Sequence, residues 1–182
     1  MRLFEQILNG SIHIERNFLD NDLFDKTFKE LQKIDYVPFH QPYENYYGNR
    51  FQAYPVNEYI IKDKKFNTII INKLEKLLQC KVKDVHLKIR KMIASEVIKS
   101  KHDGPYGPVH KDEKNKMAAI LPFYQSVSGG TAFFENECDR YPDITIGAYP
   151  NRLIIFNANR DHAPCNDLTY EESYKLNIFF NV

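Results

Sequence analysis

The chain has 182 residues and a formal net charge of +1, from 25 basic and 24 acidic side chains, so a general polyanion-binding protein is disfavoured and no nucleic-acid partner is expected. Hydrophobic residues make up 43% and charged residues 27% of the chain, values typical of a globular protein and not of a disordered one. The three cysteines are too few for a disulfide framework and favour a reducing compartment, so we expect a cytoplasmic protein.

The N-terminal segment, MRLFEQILNG, lacks the apolar core of a secretion signal. No stretch of the sequence approaches the roughly 18 apolar residues of a membrane span, so no membrane association is expected. Asn9 and Gly10 lie between alternating apolar positions, which is the strongest short-range signal for a β-hairpin. We therefore predict a hairpin at the start of the chain.

Two amphipathic helices are predicted in the first half of the chain, over residues 22–34 and 65–79. Both segments place apolar side chains three and four residues apart, and Asp20 or Asn21 is suited to cap the first helix. The aromatic-rich stretch 36–59 lies between them and predicts a long loop. This loop either packs over the sheet as a satellite core or forms a lid over a substrate.

From residue 82 onward the apolar residues recur with a period of two, which is typical of half-buried strands. After a long first strand, shorter strands are predicted over 116–124, 131–135, 143–148, 152–157 and 174–181. Helices followed by many short strands predict an α+β, mainly β protein, built as an antiparallel sandwich or barrel with helices on one face. No repeat or linker divides the sequence, so we expect one domain, with 1–81 as helical and hairpin support and 82–182 as the barrel core.

One residue separates His110 from Asp112, so in an extended segment both side chains point to the same face and can reach one ion. The pattern is weakly specific on its own, since His13 and Glu15 repeat it on what we interpret as an ordinary strand face. A second candidate imidazole, His162, follows the apolar run 152–157. Two histidines and one carboxylate leave three adjacent coordination positions open, which is the donor set expected of a non-haem Fe(II) oxygenase.

In the order of these motifs the chain resembles the 2-oxoglutarate- and Fe(II)-dependent oxygenases, and within them the prolyl 4-hydroxylase-like branch. The resemblance covers residues 104–180: His-x-Asp, then Ser-Gly-Gly before a strand, a buried strand ending near His162, and Lys175 in the last strand. It implies a double-stranded β-helix (jelly-roll) barrel with N-terminal helices packed on the larger sheet. It also implies a hydroxylase that couples oxidative decarboxylation of 2-oxoglutarate to oxidation of a small-molecule or peptide substrate, with ascorbate as a supporting reductant.

The resemblance makes His110, Asp112 and His162 the iron ligands and the catalytic residues. It assigns the distal carboxylate of 2-oxoglutarate to Lys175, at a position where most relatives have Arg. Asn177 lies two residues further along the same strand, so it shares the face of Lys175 and is a second donor to the oxo acid.

Many relatives also place a Tyr hydroxyl on the oxo acid from the strand after His-x-Asp, and the corresponding residue here is Pro122. A proline in this run indicates a bulge or an edge position, so Tyr106 or Tyr124 is expected to supply the hydroxyl. A basic stretch predicts a solvated strand face, or a surface that steers dianionic 2-oxoglutarate or an acidic substrate; it comprises Lys81, Lys83, Lys88, Arg90, Lys91, Lys99 and Lys101.

Three other functions compete with the hydroxylase. A cupin-like barrel would bind a metal or a small ligand without oxygenase activity, but it has no need of a buried cation such as Lys175. A catalytically inactive barrel would use the stretch 36–59 as a contact surface, yet all three candidate ligands are present. A nucleic-acid demethylase is disfavoured by the near-zero net charge.

Overall fold

The computed structural model describes residues 1–39, 43–44, 50–51, 56–99, 105–112, 115–135, 141–166 and 168–182, without the side chains of 39, 43–44 and 50–51. Half of the aromatic stretch 36–59 therefore lies outside the described residues, and its role as a lid or a satellite core stays a prediction.

Four helices and twelve strands make up the described chain. The helices are α1 (Leu3–Leu8), α2 (Asn21–Leu31), α3 (Lys64–Leu78) and α4 (Ala94–Lys99). The first strands are β1 (His13–Arg16), β2 (Val37–Phe39), β3 (Tyr43–Glu44), β4 (Arg50–Phe51), β5 (Val56–Ile60) and β6 (Lys83–Ile93). The later strands are β7 (Met117–Pro122), β8 (Ser126–Phe133), β9 (Ile144–Ala148), β10 (Arg152–Asn157), β11 (His162–Cys165) and β12 (Glu172–Asn181). No helix within the described ranges is both long and apolar enough to cross a membrane.

Two antiparallel sheets form the barrel. The larger has seven strands in the order β1-β10-β7-β12-β6-β5-β2, and the smaller has three in the order β11-β8-β9, beside a separate pair β3-β4. The chain passes from β7 in the larger sheet to β8 and β9 in the smaller, returns to β10, crosses to β11 and ends in β12. This alternation between two facing sheets is the predicted double-stranded β-helix, and the α+β, mainly β fold class is confirmed.

Buried apolar side chains form one cluster on each face of the larger sheet, because successive residues of a strand point to opposite faces. The outer cluster joins helix residues Ile7, Leu31, Ile70, Leu74 and Leu78 to strand residues that include Leu87, Leu176 and Ile178. The inner cluster lies between the sheets and contains Ala118, Phe133, Ile154, Phe156, Ala158 and Phe179. The helices therefore pack on the larger sheet as predicted, and the alternate residues of β12 face the barrel interior.

The two predicted amphipathic helices are α2 and α3, each within a few residues of its predicted bounds. Asp63 caps α3, because its carboxylate accepts hydrogen bonds from the Lys65 and Phe66 backbone N–H groups at 2.8 and 3.2 Å. Helices α1 and α4 were not expected. Each has only six residues, which is too short to show a helical period in the sequence.

The hairpin predicted at Asn9 and Gly10 is wrong, because the two residues end helix α1. The Gly10 N–H donates to the Ile7 carbonyl and the Ser11 N–H to the Gln6 carbonyl, both at 3.0 Å, which is the Schellman pattern. Gly10 has a φ of +100°, the left-handed conformation that this helix end requires. An Asn-Gly pair suits a helix C-terminus as well as a hairpin turn, and the neighbouring strand β1 pairs with β10 instead.

Pro122 does not mark a bulge or an edge strand. It is the last residue of β7, which lies between β10 and β12 inside the larger sheet. A proline is tolerated there because the ladder of backbone hydrogen bonds ends beside it, and the next residue, Phe123, donates its N–H to Tyr174. Strand β11 was also missed, since its four residues, His-Ala-Pro-Cys, show no apolar alternation.

Asn151 joins the segment before α2 to the turn between β9 and β10. It is 5% exposed and has a φ of 59°. Its Oδ1 accepts from the Leu19 N–H at 2.8 Å, and its Nδ2 donates to the Leu19 carbonyl at 2.7 Å. The Phe18 N–H donates to the Asn151 carbonyl at 3.1 Å. This clamp holds Leu19, which is fully buried, in the outer core.

We expect Asn151→Ala to lower the free energy of unfolding by about 2–4 kcal/mol, because the Leu19 backbone groups lose their partners inside the protein. Asn151→Gly removes the same amide but adopts a positive φ without strain, so it should be less damaging than Ala by about 1 kcal/mol. Urea denaturation of the three proteins measures both differences. An alanine variant within about 0.5 kcal/mol of the wild type would contradict the clamp.

Candidate functional site

One isolated β-bridge and one further backbone hydrogen bond bring His110, Asp112 and His162 together. His110 and His162 form an isolated antiparallel bridge, in which each N–H donates to the other residue's carbonyl at 2.9 and 3.0 Å. The Asp112 N–H donates to the Ala158 carbonyl at 2.8 Å. The side chains of the three residues therefore start from fixed backbone positions.

The ligand atoms of these three side chains lie within 4.8 Å of one another. His162 Nε2 is 3.3 Å and His110 Nε2 is 3.9 Å from the nearest Asp112 carboxylate oxygen. The two imidazole rings have centroids 4.4 Å apart. Among the described residues, no other group of three His, Cys, Asp or Glu side chains converges in this way, and His13 meets only Glu15 on β1.

Backbone carbonyls orient both imidazole rings. His110 Nδ1 donates to the Pro108 carbonyl at 3.0 Å, and His162 Nδ1 donates to the Arg160 carbonyl at 2.9 Å. A carbonyl can only accept, so Nδ1 carries the proton in each ring and Nε2 is left to offer its lone pair to a metal ion. This is the outer-shell arrangement that metal-binding histidines usually have.

Burial and neighbouring charges both shift the pKa values of the cluster. Burial lowers the pKa of His110 to about 4, and the charges of His162 and Arg90 act in the same direction. Burial raises the pKa of Asp112, but the interactions with the two histidines and with Arg90 outweigh it, so the pKa lies below its usual value. An ionised carboxylate beside a neutral imidazole is the protonation state that binds a divalent cation.

Aromatic side chains of the inner core pack around His162, which is 3% exposed. The Phe156 ring lies edge-on with its centroid 4.7 Å from that of the imidazole, and the Phe133 centroid lies at 6.4 Å. These contacts fix the ring rotamer and keep water from one side of the candidate metal centre.

Lys175 on β12 is a buried cation without a carboxylate partner in the part of the chain that the structure describes. It is 9% exposed, and its Nζ donates to the Gly130 carbonyl at 2.9 Å. The two acidic residues that precede it closely in sequence are engaged elsewhere: Glu171 accepts a hydrogen bond from Ser95, and Glu172 pairs with Lys91. An ammonium buried without a counter-ion is costly.

Three polar groups near Lys175 are buried without a hydrogen-bond partner among the described residues: Tyr124 Oη, Thr131 Oγ1 and Asn177 Nδ2. The Tyr124 ring centroid lies 5.7 Å from Lys175 Nζ. Thr131 follows Gly130, which accepts the lysine hydrogen bond, and Asn177 shares the face of Lys175. Unsatisfied buried groups are rare in proteins, so their grouping around a buried cation fits a polar, anionic ligand.

Tyr106 lies on the other side of the smaller sheet. Its ring packs edge-on against Phe134 at 5.9 Å and belongs to a cluster with Ala132 and Cys165, residues of the opposite face from Thr131 and Phe133. Of the two candidate tyrosines, the structure brings Tyr124 and not Tyr106 beside Lys175. Thr131 was not predicted as a site residue, although its position directly after the Ser-Gly-Gly motif was a signal for it.

Gly130 explains the Ser-Gly-Gly motif. It has a φ of +118°, and a Cβ built on it would lie 2.0 Å from the Ile146 carbonyl oxygen of β9. The β8–β9 register shifts between Ser126 and Gly130, so the glycine sits at an irregularity that allows this close approach. The same irregularity aims the Gly130 carbonyl at Lys175.

Comparison by sequence finds no relative: no protein family model matches the chain, and no curated protein matches it. Solved structures, however, match its fold. An oxidoreductase of the 2OG-Fe(II) oxygenase family from Burkholderia pseudomallei superposes with a TM-score of 0.61 at 9% identity, over 96% of this chain and 86% of the other.

Two prolyl hydroxylases match comparably. A Pseudomonas putida prolyl-4-hydroxylase gives a TM-score of 0.61 at 11% identity, over 98% of both chains. A Trichoplax adhaerens prolyl hydroxylase, in complex with a peptide of the hypoxia inducible factor oxygen degradation domain, gives 0.59 at 12%, over 98% of this chain and 88% of the other. At such identities the likeness confirms the fold: a jelly-roll barrel like those of 2-oxoglutarate and Fe(II) oxygenases.

We expect His110→Ala, Asp112→Ala and His162→Ala each to weaken Mn(II) binding by more than the roughly 10–100-fold lost when an outer-shell partner is removed, because each variant removes a direct ligand. His13→Ala is the matched control, since His13 has an acidic neighbour at the same spacing but no third ligand. Calorimetric titration with Mn(II) measures the affinities, and thermal melting checks that each variant is folded. A variant that keeps wild-type affinity would exclude that residue from the cluster.

Proposed function

We propose that the chain is a single-domain, non-haem Fe(II) dioxygenase that couples oxidative decarboxylation of 2-oxoglutarate to hydroxylation of an organic substrate. The observation that supports this most directly is the shared interior of the barrel. A converged His-Asp-His cluster and the buried, carboxylate-free Lys175 face the same space.

The residues present fit both the metal and the cosubstrate. Two imidazoles and one carboxylate suit Fe(II) and leave adjacent positions for other ligands. The Lys175 ammonium would pair with the distal carboxylate of 2-oxoglutarate, and Tyr124, Thr131 and Asn177 carry the unpartnered polar atoms that would surround it. When bound, the Fe(II) and the oxo acid supply the activation of dioxygen that side chains cannot provide.

The chain's own residues hold and orient these groups. The Pro108 and Arg160 carbonyls keep the two Nε2 atoms turned toward the metal position. Phe133 and Phe156 exclude water behind His162. Lys175, fixed by the Gly130 carbonyl, sets how deep a carboxylate can enter. Ascorbate is proposed only as a supporting reductant.

A cupin-like barrel that binds a metal or ligand without oxidising anything is the second candidate. It accounts for the His-Asp-His cluster equally well. It does not account for a buried cation and three unpartnered polar groups, which is why we favour the oxygenase. The substrate we propose is a peptide or a small organic molecule, and the peptide bound to the Trichoplax neighbour fits the first of these.

Replacement of Lys175 tests the cosubstrate site. Removing one member of a buried charge pair costs about 2–5 kcal/mol, so Lys175→Met should weaken 2-oxoglutarate binding by roughly 30- to several-thousand-fold. Lys175→Arg should retain measurable binding, because it keeps the charge. Calorimetry of the Mn(II)-loaded proteins gives both affinities, and the Mn(II) affinity itself should not change. Wild-type affinity in the methionine variant would leave Lys175 without a role in binding the oxo acid.

The activity itself is tested by succinate formation. We expect the wild-type protein with Fe(II), ascorbate and 2-oxoglutarate to form succinate slowly even without a second substrate, because the cluster and Lys175 suffice to position the oxo acid. Asp112→Ala, which lacks one ligand, is the control and should stay at the background rate. Succinate at the no-enzyme level in the wild type would favour the cupin-like binder.

A further inference from the structure

Arg90 lies next to Lys175 on the inner face of the larger sheet. In the β6–β12 ladder it is directly opposite Lys175, and in the β5–β6 ladder it is directly opposite Glu58. Directly opposed residues of antiparallel strands share a face and have neighbouring Cβ atoms. Glu58, Arg90 and Lys175 therefore form a row across three strands that faces the barrel interior.

The row faces the same interior in which the His162 ring packs against Phe133 and Phe156 of the inner cluster. The side chain of Arg90 is 29% exposed, whereas Lys175 is 9% exposed. Arg90 thus lies on the open side of the site, and Lys175 lies deeper.

The guanidinium of Arg90 has donor capacity that the described residues do not use. Its ion pair with Glu58 is long, 3.5 Å from Nε to Oε2, and Nε is buried without a hydrogen-bond partner. Glu58 also pairs with Lys88, at 3.0 Å through its other oxygen. One carboxylate is thus shared between two cations. A guanidinium presents five N–H donors in a rigid fork, and those of Arg90 make no hydrogen bond within the described ranges.

We infer that Arg90 anchors a carboxylate of the hydroxylation substrate, and that this substrate is a small molecule with a free carboxylate, such as an amino acid, rather than an internal stretch of peptide. The inference rests on the proposed function. Lys175 occupies the buried position suited to the cosubstrate, which leaves the more open guanidinium for a second anion. Arginine is suited to this because its fork matches a carboxylate with two parallel hydrogen bonds.

Glu58 acts as a positioning residue in this arrangement. Its side chain is 9% exposed and lies between the Lys88 and Arg90 side chains. It holds the guanidinium near the inner wall without occupying both edges of the fork, so a ligand carboxylate can approach from the open side.

The test uses the full chain loaded with Mn(II), with and without 2-oxoglutarate. The probes are the twenty common L-amino acids, each compared with its carboxamide. We expect at least one acid to raise the melting temperature, and calorimetry should show its amide binding at least about 30-fold more weakly, because one charged contact is lost.

The variants test whether Arg90 causes this preference. Arg90→Gln should abolish the preference for the acid but keep the wild-type affinity for 2-oxoglutarate, and Arg90→Lys should retain part of the preference. Lys83→Gln, an exposed change at the start of the same strand, is the control.

The double variant Glu58→Gln/Arg90→Gln, which leaves no carboxylate unpaired at this position, replaces Arg90→Gln if the single variant melts early. The inference is refuted if no acid is preferred to its amide, or if the preference survives in the glutamine variants. It is also refuted if those variants lose 2-oxoglutarate binding, because Arg90 would then be a cosubstrate residue. The titrations without 2-oxoglutarate measure the preference for a carboxylate independently of the cosubstrate. If 2-oxoglutarate does not bind but the preference is present, only the proposed function is refuted.

Discussion

The two backbone hydrogen bonds between His110 and His162 are the constraint on which the rest of the site depends. They place two imidazoles from distant parts of the sequence on the same face of one bridge, with ring centroids 4.4 Å apart. Asp112 needs only one further backbone bond, to Ala158, to bring its carboxylate between them. The candidate metal centre is therefore built mainly from main-chain pairing, and the side chains complete it.

The second end of the site depends on one irregular point in the smaller sheet. Gly130 lies at a register shift, at a φ that other residues rarely adopt, and its carbonyl is the acceptor for Lys175 Nζ. The ammonium is thereby kept inside the barrel, and no carboxylate of the described residues lies beside it. Holding such a charge there is costly, so under the proposed function the binding of an anion would also stabilise the barrel.

The sequence was most informative where a local pattern has one structural meaning. Residues 65–79 have a helical period, and α3 (Lys64–Leu78) lies within one residue of these predicted bounds. Asn9 and Gly10 misled, because the same pair serves a hairpin turn and a helix end, and only the pairing of β1 with β10 decides between them. The surroundings of Thr131 and Arg90 could not be read from the sequence. A buried hydroxyl without a partner among the described residues and a charge turned inward are visible only once the two sheets face each other.

Strand β1 also has a consequence for the solution behaviour of the protein. It covers the outer edge of β10, whose residues Leu153 to Phe156 are fully buried and strongly apolar. Without β1, that edge would present free backbone N–H and carbonyl groups along an aliphatic strand, which is the usual template for intermolecular β-pairing. The first sixteen residues therefore protect the edge of β10 from intermolecular pairing, and a recombinant fragment that begins after them would be expected to self-associate.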